Sequence, residues 1–429
     1  MWGTYYGGTV RDFSEGIAVD DSSNVYITGY TSSTTNIATP GAMKTSKTSS
    51  GYNAFVAKFN ASGSALKWGT YYGGTGSETG TGIALDNNNN VYITGYSSSS
   101  SGISTVGAYQ TTYLSGGLSN GYVAKINPTG STLLWGTYYG GPDDTWPQAI
   151  KLDASKNVYI TGNTRSTSGI ATHGAYDTIN RGGPGGNNNG FVAKFNPAGS
   201  SLIWGTYYGG PNDDYSTCLA LDANNNVYFA GSALSTTNIA TPGAYQTTLA
   251  GINNNSNSFI AKLSSSGSTL FWGTYYGGTG NPAGSWGDGA VAITLDGSDN
   301  VFVTGYTPSS SGIATPGAFK TNYTAGNNQN AFVAMFGCTN LATWLQESNN
   351  SEDDLNFYPN PFSVYTTIDI INVQPCSGFL FNTLGQCINS WKLNSGSNKL
   401  DMSSLPSGSY YFKIQMQDRI FTKKLIKVD

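Results

Sequence analysis

Trp68-Gly69-Thr70-Tyr71-Tyr72-Gly73-Gly74 occurs five times without change: here and as Trp2–Gly8, Trp135–Gly141, Trp204–Gly210 and Trp272–Gly278. Successive tryptophans are 66, 67, 69 and 68 residues apart. A heptapeptide repeated intact at a nearly fixed period is the signature of a repeat architecture. Read as a strand, it sends Trp, Thr and the second Tyr to one face, and Gly and the first Tyr to the other. The closing Gly-Gly lets the backbone turn where a side chain would obstruct it.

Working outward, the second repeat supplies three more strands. Gly82-Ile83-Ala84-Leu85-Asp86 is short and apolar, and four Asn separate it from Val91–Tyr96, rich in β-branched and aromatic residues. A Ser/Thr/Gly-rich loop precedes Tyr122–Ile126, and the turn Asn127-Pro128-Thr129-Gly130-Ser131 leads into Thr132–Tyr139. Four antiparallel strands per period, with no helical pattern between them, predict an all-β fold. Its main part is a five-bladed β-propeller of four-stranded antiparallel blades. A β-solenoid is the competitor, but its coils are shorter and lack tight hairpins.

The phase predicts closure. The chain enters on a fourth strand and leaves after a third, Ala331–Phe336. The blades are therefore Gly16–Gly74, Gly82–Gly141, Gln148–Gly210, Thr217–Gly278, and Gly289–Phe336 completed by Trp2–Gly8. Such an interlock would guard the ring's edge. The alternative is a longer array interrupted at a repeat boundary.

Composition narrows the function. Charged residues are 10% of the 429, with 57 Gly and 29 Tyr, unlike a disordered chain. Before Cys338 there are 13 basic and 16 acidic residues, so no basic stripe exists for nucleic acid. The four cysteines make no disulfide framework, and the expected hairpin register does not set Cys376 opposite Cys387. No run of 18 apolar residues can span a membrane as a helix. No signal peptide precedes Trp2, so an exported protein would be represented here by a mature form or a fragment.

The repeat consensus resembles the bacterial SBBP β-propeller family. The matching residues are the heptapeptide, Ile83-Ala84-Leu85-Asp86, Asn90-Val91-Tyr92-Ile93-Thr94-Gly95, Thr241-Pro242-Gly243-Ala244-Tyr245-Gln246-Thr247 and Phe191-Val192-Ala193-Lys194-Phe195-Asn196. The resemblance covers Trp2–Phe336. It implies a propeller, usually seven-bladed, and no single activity.

Residues 1–338 are thus the propeller, and 339–354, with Glu347, Glu352, Asp353 and Asp354, read as an acidic linker. From 355 to 429 short alternating strands predict a small Ig-like β-sandwich carrying seven basic and four acidic residues. This segment resembles the type A C-terminal sorting domain of the Bacteroidetes type IX secretion system. The motifs are Tyr358-Pro359-Asn360-Pro361-Phe362, Leu384-Gly385-Gln386, Leu405-Pro406-Ser407-Gly408-Ser409-Tyr410-Tyr411 and Lys423-Lys424-Leu425. The resemblance implies the secretion machinery and its sortase as partners and delivery to the cell surface or medium. It further implies removal of the domain, often with attachment of the passenger to lipopolysaccharide.

Candidate site residues are acids after the Gly-Gly: Asp12, Glu78, Asp143, Asp144, Asp213, Asp214 and, further on, Asp288. In a propeller their loops share one face, where a carboxylate ring has the chemistry to hold a cation such as Ca²⁺ or to bond sugar hydroxyls. Turn capping by Asp accounts for the same pattern. Asp20, Asp86, Asp153, Asp222 and Asp296 open Asp-x-x-x-Asn turns, which read as structural. The lone His173 builds neither a triad nor a metal site. Asp177-Thr178-Ile179 fits a short bacterial O-glycosylation pattern.

Asn-rich loops such as Gly182–Asn189 suit polar recognition. The leading expectation is a non-catalytic binding or scaffold module for a glycan or protein ligand. A polysaccharide-degrading enzyme is the rival, since paired acids can hydrolyse glycosides, and a structural surface-layer component is a third reading. Acids that recur at equivalent positions favour scaffolding over catalysis.

Overall fold

The computed structural model describes residues 1–428 except 115, 117–118, 281–286, 298, 325–327, 337–354, 371–375, 383–386, 404 and 417–418. The linker and the expected sorting residue Gly385 lie outside the described residues. Every regular element among the described residues is a strand, and the chain divides into two units.

In the first unit β1 (Asp12–Val19), β2 (Val25–Thr31), β3 (Asn53–Phe59) and β4 (Leu66–Tyr72) form one antiparallel sheet. The second holds β5 (Glu78–Leu85), β6 (Val91–Ser97), β7 (Asn120–Ile126) and β8 (Leu133–Tyr139). The third holds β9 (Thr145–Leu152), β10 (Val158–Thr164), β11 (Asn189–Phe195) and β12 (Leu202–Tyr208). The fourth holds β13 (Asp214–Leu221), β14 (Val227–Ala233), β15 (Asn257–Leu263) and β16 (Leu270–Tyr276). The fifth has three strands, β17 (Gly289–Leu295), β18 (Val301–Thr307) and β19 (Asn330–Phe336).

The heptapeptide locks each sheet to the next. Trp68 donates its indole N–H to the Pro128 carbonyl at 3.0 Å, and Tyr72 its hydroxyl to Ile103 at 2.8 Å, both in the following sheet. The first tyrosine turns back: the Tyr71 hydroxyl bonds the Ser33 carbonyl of its own sheet at 2.8 Å. The alternation expected from the sequence thus divides the two rings between two interfaces. Gly130, at φ +68°, is the floor under Trp68, because a Cβ there would stand 2.4 Å from the indole. Apolar residues of neighbouring sheets fuse into shared cores, as where Tyr26, Val56, Trp68 and Tyr72 meet Ile83, Ile93 and Tyr122. That burial is the main stabilising term.

The expected closure is corrected. Trp2–Gly8 forms no strand, and among the described residues the fifth sheet ends at β19 without a fourth. Trp2 still donates to Ala61 at 3.0 Å and Tyr6 to Ile37 at 2.8 Å, so the segment keeps the contacts its counterparts make with the following sheet. What it lacks is the ladder. Inner strands pack in the series β1, β5, β9, β13, β17, with no comparable packing between β17 and β1 among the described residues. Trp2 is therefore 45% exposed against 7% for Trp68, and Ile17 69% against 9% for Ile83. At the other end Val333 is 78% exposed. Among the described residues, Trp2–Gly8 is held by the first sheet, and the five sheets pack in series.

The second unit, taken by itself, has two sheets. One is β20 (Leu355–Tyr358), β21 (Tyr365–Ile370) and β24 (Gly396–Asp401); the other joins β22 (Cys376–Asn382), β23 (Cys387–Leu393), β25 (Gly408–Met416) and β26 (Arg419–Lys427). Ile368, Ile370 and Leu400 from the first meet Leu380, Leu393, Phe412 and Leu425 from the second in one core. Cys376 stands opposite Leu393 and Cys387 opposite Phe381, so the two thiol-bearing residues are not cross-strand partners.

Candidate functional site

Asp12, Glu78 and Asp214 open β1, β5 and β13, and Asp288 immediately precedes β17. The Gly-Gly of the preceding strand bends past them and donates its second N–H: Gly8 to Asp12 at 2.8 Å, Gly210 to Asp214 at 2.7 Å, Gly278 to Asp288 at 2.9 Å. Ser33, Ser235 and Ser309, two residues past the second strand, add hydroxyl donors at 3.0, 2.7 and 3.0 Å. Glu78 likewise takes the hydroxyls of Ser97 and Ser99. The first glycine must be bare: a Cβ on Gly209, at φ +147°, would come 2.7 Å from the Asp214 carboxylate. In the third sheet Thr145 fills this place and shares a 2.9 Å hydrogen bond with Thr164.

Asp144 and Asp213 precede these hub positions and accept the Ser119 and Asn188 backbone N–H groups at 2.8 and 2.7 Å. The Asp143 backbone exchanges hydrogen bonds with the Ser166 hydroxyl. The predicted acids are therefore spread over the sheets, with an acidic hub in four of the five, and their oxygens accept from both their own sheet and the preceding one, as Glu78 does from Ser97 and Asn53. Among the described residues no three His, Cys, Asp or Glu side chains gather as a metal site. Burial pushes Asp214 up to about 6 against the donors of Ser235, Gly210 and Leu234. Burial raises Glu78 and Asp288 as well.

The Asp-x-x-x-Asn turns behave differently. Asp86 accepts the Asn90 amide and backbone, and Lys125 lies 3.4 Å from it while sitting 4.8 Å above the Tyr92 ring. Trp135 meets the same ring edge-on, completing a Trp–Lys–Tyr–Asp stack that recurs in the first four sheets. These turns are architectural. His173 and Thr178 are exposed loop residues, and Asp177 is paired with Arg181 at 3.0 Å.

Sequence reasoning passed over the residues between these anchors. Immediately after each hub stand Phe13, Thr79, Trp146, Tyr215 and Gly289. Tyr30, Tyr96, Asn163 and Ser232 pair with the first four, and Tyr306 lies over Gly289. Each sheet so presents at least one ring at the same level of its inner strands. Phe13 and Tyr30 stack at 5.0 Å, with Tyr52 edge-on to Tyr30 at 5.0 Å. Arg11 covers Phe13, and Arg165 covers Trp146 at 5.6 Å. A signal was present in the repeats: beside the invariant Gly29, Gly95, Gly162, Gly231 and Gly305 of the second strand, this pair changes in every copy while keeping at least one ring. Toward the fifth sheet the row deepens into a cleft of about 410 Å³, lined by Gln148, Asn163, Tyr215, Ser232, Ser256 and Tyr306.

In the second unit the sorting motifs meet at the terminal strand. The Asn360 amide donates to Lys424 O and accepts from Ile426 N–H, both at 2.9 Å, and Phe362 bridges to Lys427. Pro359 accepts from the Thr366 hydroxyl, and Pro406 from the Tyr410 hydroxyl at 2.6 Å. Gly408 opens β25 beside Lys427, Leu405 packs on the core, and Lys423 and Lys424 are exposed.

The fold and these two sets of motifs define an all-β repeat protein with a separate two-sheet C-terminal unit. Family models identify both parts: residues 2–37, 67–102 and 134–169 match the Beta-propeller repeat, SBBP, and residues 356–428 the Secretion system C-terminal sorting domain. The sorting domain marks a protein secreted to the cell surface or extracellular space. No described helix is long and apolar enough to cross a membrane. No curated protein matches the chain.

Among solved structures, a gluconolactonase of Xanthomonas campestris is 13% identical over 71% of this chain and 85% of its own, at a TM-score of 0.27. A xylan β-1,4-xylosidase of Bacillus halodurans is 8% identical over 96% and 88%, at 0.32. A GH43_1 enzyme of Xanthomonas citri is 11% identical over 76% and 86%, at 0.31. Similarity at this level carries no activity across.

Proposed function

We propose that this is a secreted binding module without catalytic activity, which presents the aromatic row of its repeat array to a glycan. The supporting observation is that row. Phe13, Tyr30, Tyr96, Trp146, Tyr215 and Tyr306 place at least one ring per sheet at one level of the inner strands. Rings in a setting of amides and hydroxyls suit sugars, whose apolar faces stack and whose hydroxyls bond. The hub residues stand one position before that row: Asp12, Glu78, Asp214 and Asp288, held by neutral donors, fix where four of the five inner strands begin. The reading needs adjacent sheets only, not a closed ring. We read the C-terminal unit as Ig-like and as the part recognised by the type IX machinery and removed within residues 339–354 after export.

Glycan-array binding by the full chain, assayed in parallel for reducing ends released from the same polymers, tests the proposal. The expected result is retention of glycans without hydrolysis. Release of reducing ends would overturn the non-catalytic reading in favour of the enzyme. Mass spectrometry of the exported protein is expected to find residues 355–429 missing.

A further inference from the structure

The cleft between the third and fifth sheets differs from the rest of the row in having polar side chains to spare. Asn188 holds Tyr215 by a 3.2 Å hydrogen bond to its hydroxyl, and Tyr306 rests over Gly289, where a Cβ would stand 2.4 Å from its hydroxyl oxygen. Both rings are thereby placed before any ligand arrives. Gln148, Ser232 and the Tyr306 hydroxyl, in contrast, make no side-chain hydrogen bond among the described residues, although all three line the cleft. Side-chain amides and hydroxyls are donors and acceptors at once, as are sugar hydroxyls.

No described residue that lines the cleft is charged. Asp213, beside the cleft, is taken up by the Asn188 amide at 2.8 Å, and Asp288 by Gly278, Ser309 and Asn257. Between β13 and β17, where the cleft lies, the packing leaves little room for an added peptide strand. The Thr217 hydroxyl of β13 already bonds the Ala290 carbonyl of β17 at 2.7 Å. At about 410 Å³ the space lies toward the small end of ligand clefts, which run from about 300 to 1,000 Å³.

We infer that this cleft is the anchoring subsite for a neutral sugar unit of a polysaccharide chain. Tyr215 and Tyr306 supply ring faces, and Gln148, Asn163 and Ser232 supply hydrogen bonds to its hydroxyls. The inference rests on the glycan-binding reading and sharpens it to one place and one charge class.

Calorimetric titration of the full chain with cellohexaose, xylohexaose, mannohexaose and hexagalacturonic acid tests it. Gln148→Ala and Tyr306→Ala are compared with Phe13→Ala at the far end of the row. A neutral hexasaccharide is expected to bind, and each cleft variant to weaken it about tenfold or more, the scale of a buried anchor. Tyr306→Phe, which keeps the ring, should lose less, and unfolding followed by tryptophan fluorescence should be unchanged in all. Neutral binding weakened by Phe13→Ala alone would overturn the subsite and leave the glycan reading standing. Binding of hexagalacturonic acid alone would overturn the neutral class. No binding to any of the four would overturn the glycan reading itself.

Discussion

In the second sheet β5 begins with Glu78 and is followed at its far end by Asp86, and the two carboxylates meet contrary surroundings. Both are buried and both are hydrogen-bonded. Burial raises Glu78, and the hydroxyls of Ser99 and Ser97, the Asn53 amide and the Gly74 N–H do not offset it. At Asp86 burial also acts upward, but the Asn90 side chain and backbone, the Asn88 N–H and Lys125 outweigh it, and the group is lowered. The first sheet carries the second effect furthest, with Asp20 lowered to about 2 in spite of its burial. Neutral hydroxyls position a carboxylate without compensating its lost hydration; a tight turn with two backbone N–H groups and a lysine does both. The hub end is thus the costlier place to keep a charge and the more vulnerable place to remove an acceptor.

The largest expected consequence is at a hub. Asp214→Ala would strand the Gly210 and Ser235 N–H groups, while the Leu234 N–H keeps the Asp213 carbonyl and the Ser235 hydroxyl the Asn212 carbonyl. Each buried donor without a partner costs about 1–3 kcal/mol, so urea unfolding should show a loss of about 3–5 kcal/mol. A loss below about 1 kcal/mol would mean that water replaces the carboxylate easily.

The pH dependence separates the two ends further. Asp214 has an ordinary value of 3.8 and stands at about 6 in the fold, so between these values the native state holds the extra proton. Its contribution to stability is therefore greatest below about pH 4 and declines as pH rises to 6, by about 3 kcal/mol in total. Asp20 works the other way: its contribution is complete above 3.8 and is lost as pH falls toward 2. Asp214→Asn should flatten the decline between pH 4 and 6 in a series of urea titrations. An unchanged slope would assign that window to other groups.

Much of this was legible in the chain. The heptapeptide gave strand four, its partner faces and the register of the array, because identical local sequence meets identical local packing. The Asp-x-x-x-Asn turns were readable too: Ser23, Asn89, Lys156, Asn225 and Asp299 all adopt φ near +60° there. Closure was not legible. Trp2–Gly8 carries the same letters as Trp68–Gly74, but a ladder depends on where the fifth sheet's edge lies, and no local pattern encodes that distance. The acids drew attention away from the aromatic row because a recurring charge is conspicuous, whereas Trp146 and Asn163 become meaningful only once the register pairs them.

The smallest expected effect lies at the lysine end, and the fifth repeat serves as its internal control. Asp296 and Asn300 keep the turn bonds there, at 2.9 and 2.7 Å, yet Phe302 stands where the other repeats have tyrosine and Met335 where they have lysine. These turn bonds therefore form with methionine and phenylalanine at the lysine and tyrosine positions of the repeat. Lys125→Met copies that state into the second sheet, removing an ammonium 3.4 Å from Asp86 and 4.8 Å above Tyr92 while retaining the apolar stem. A partly desolvated cation over a ring, with a single ion pair, is worth about 1–2 kcal/mol, well below the loss at Asp214. The double variant Lys125→Met with Tyr92→Phe should cost less than the sum of the two, because both changes remove parts of one stack. A cost for Lys125→Met equal to that of Asp214→Ala would erase the distinction between the two ends.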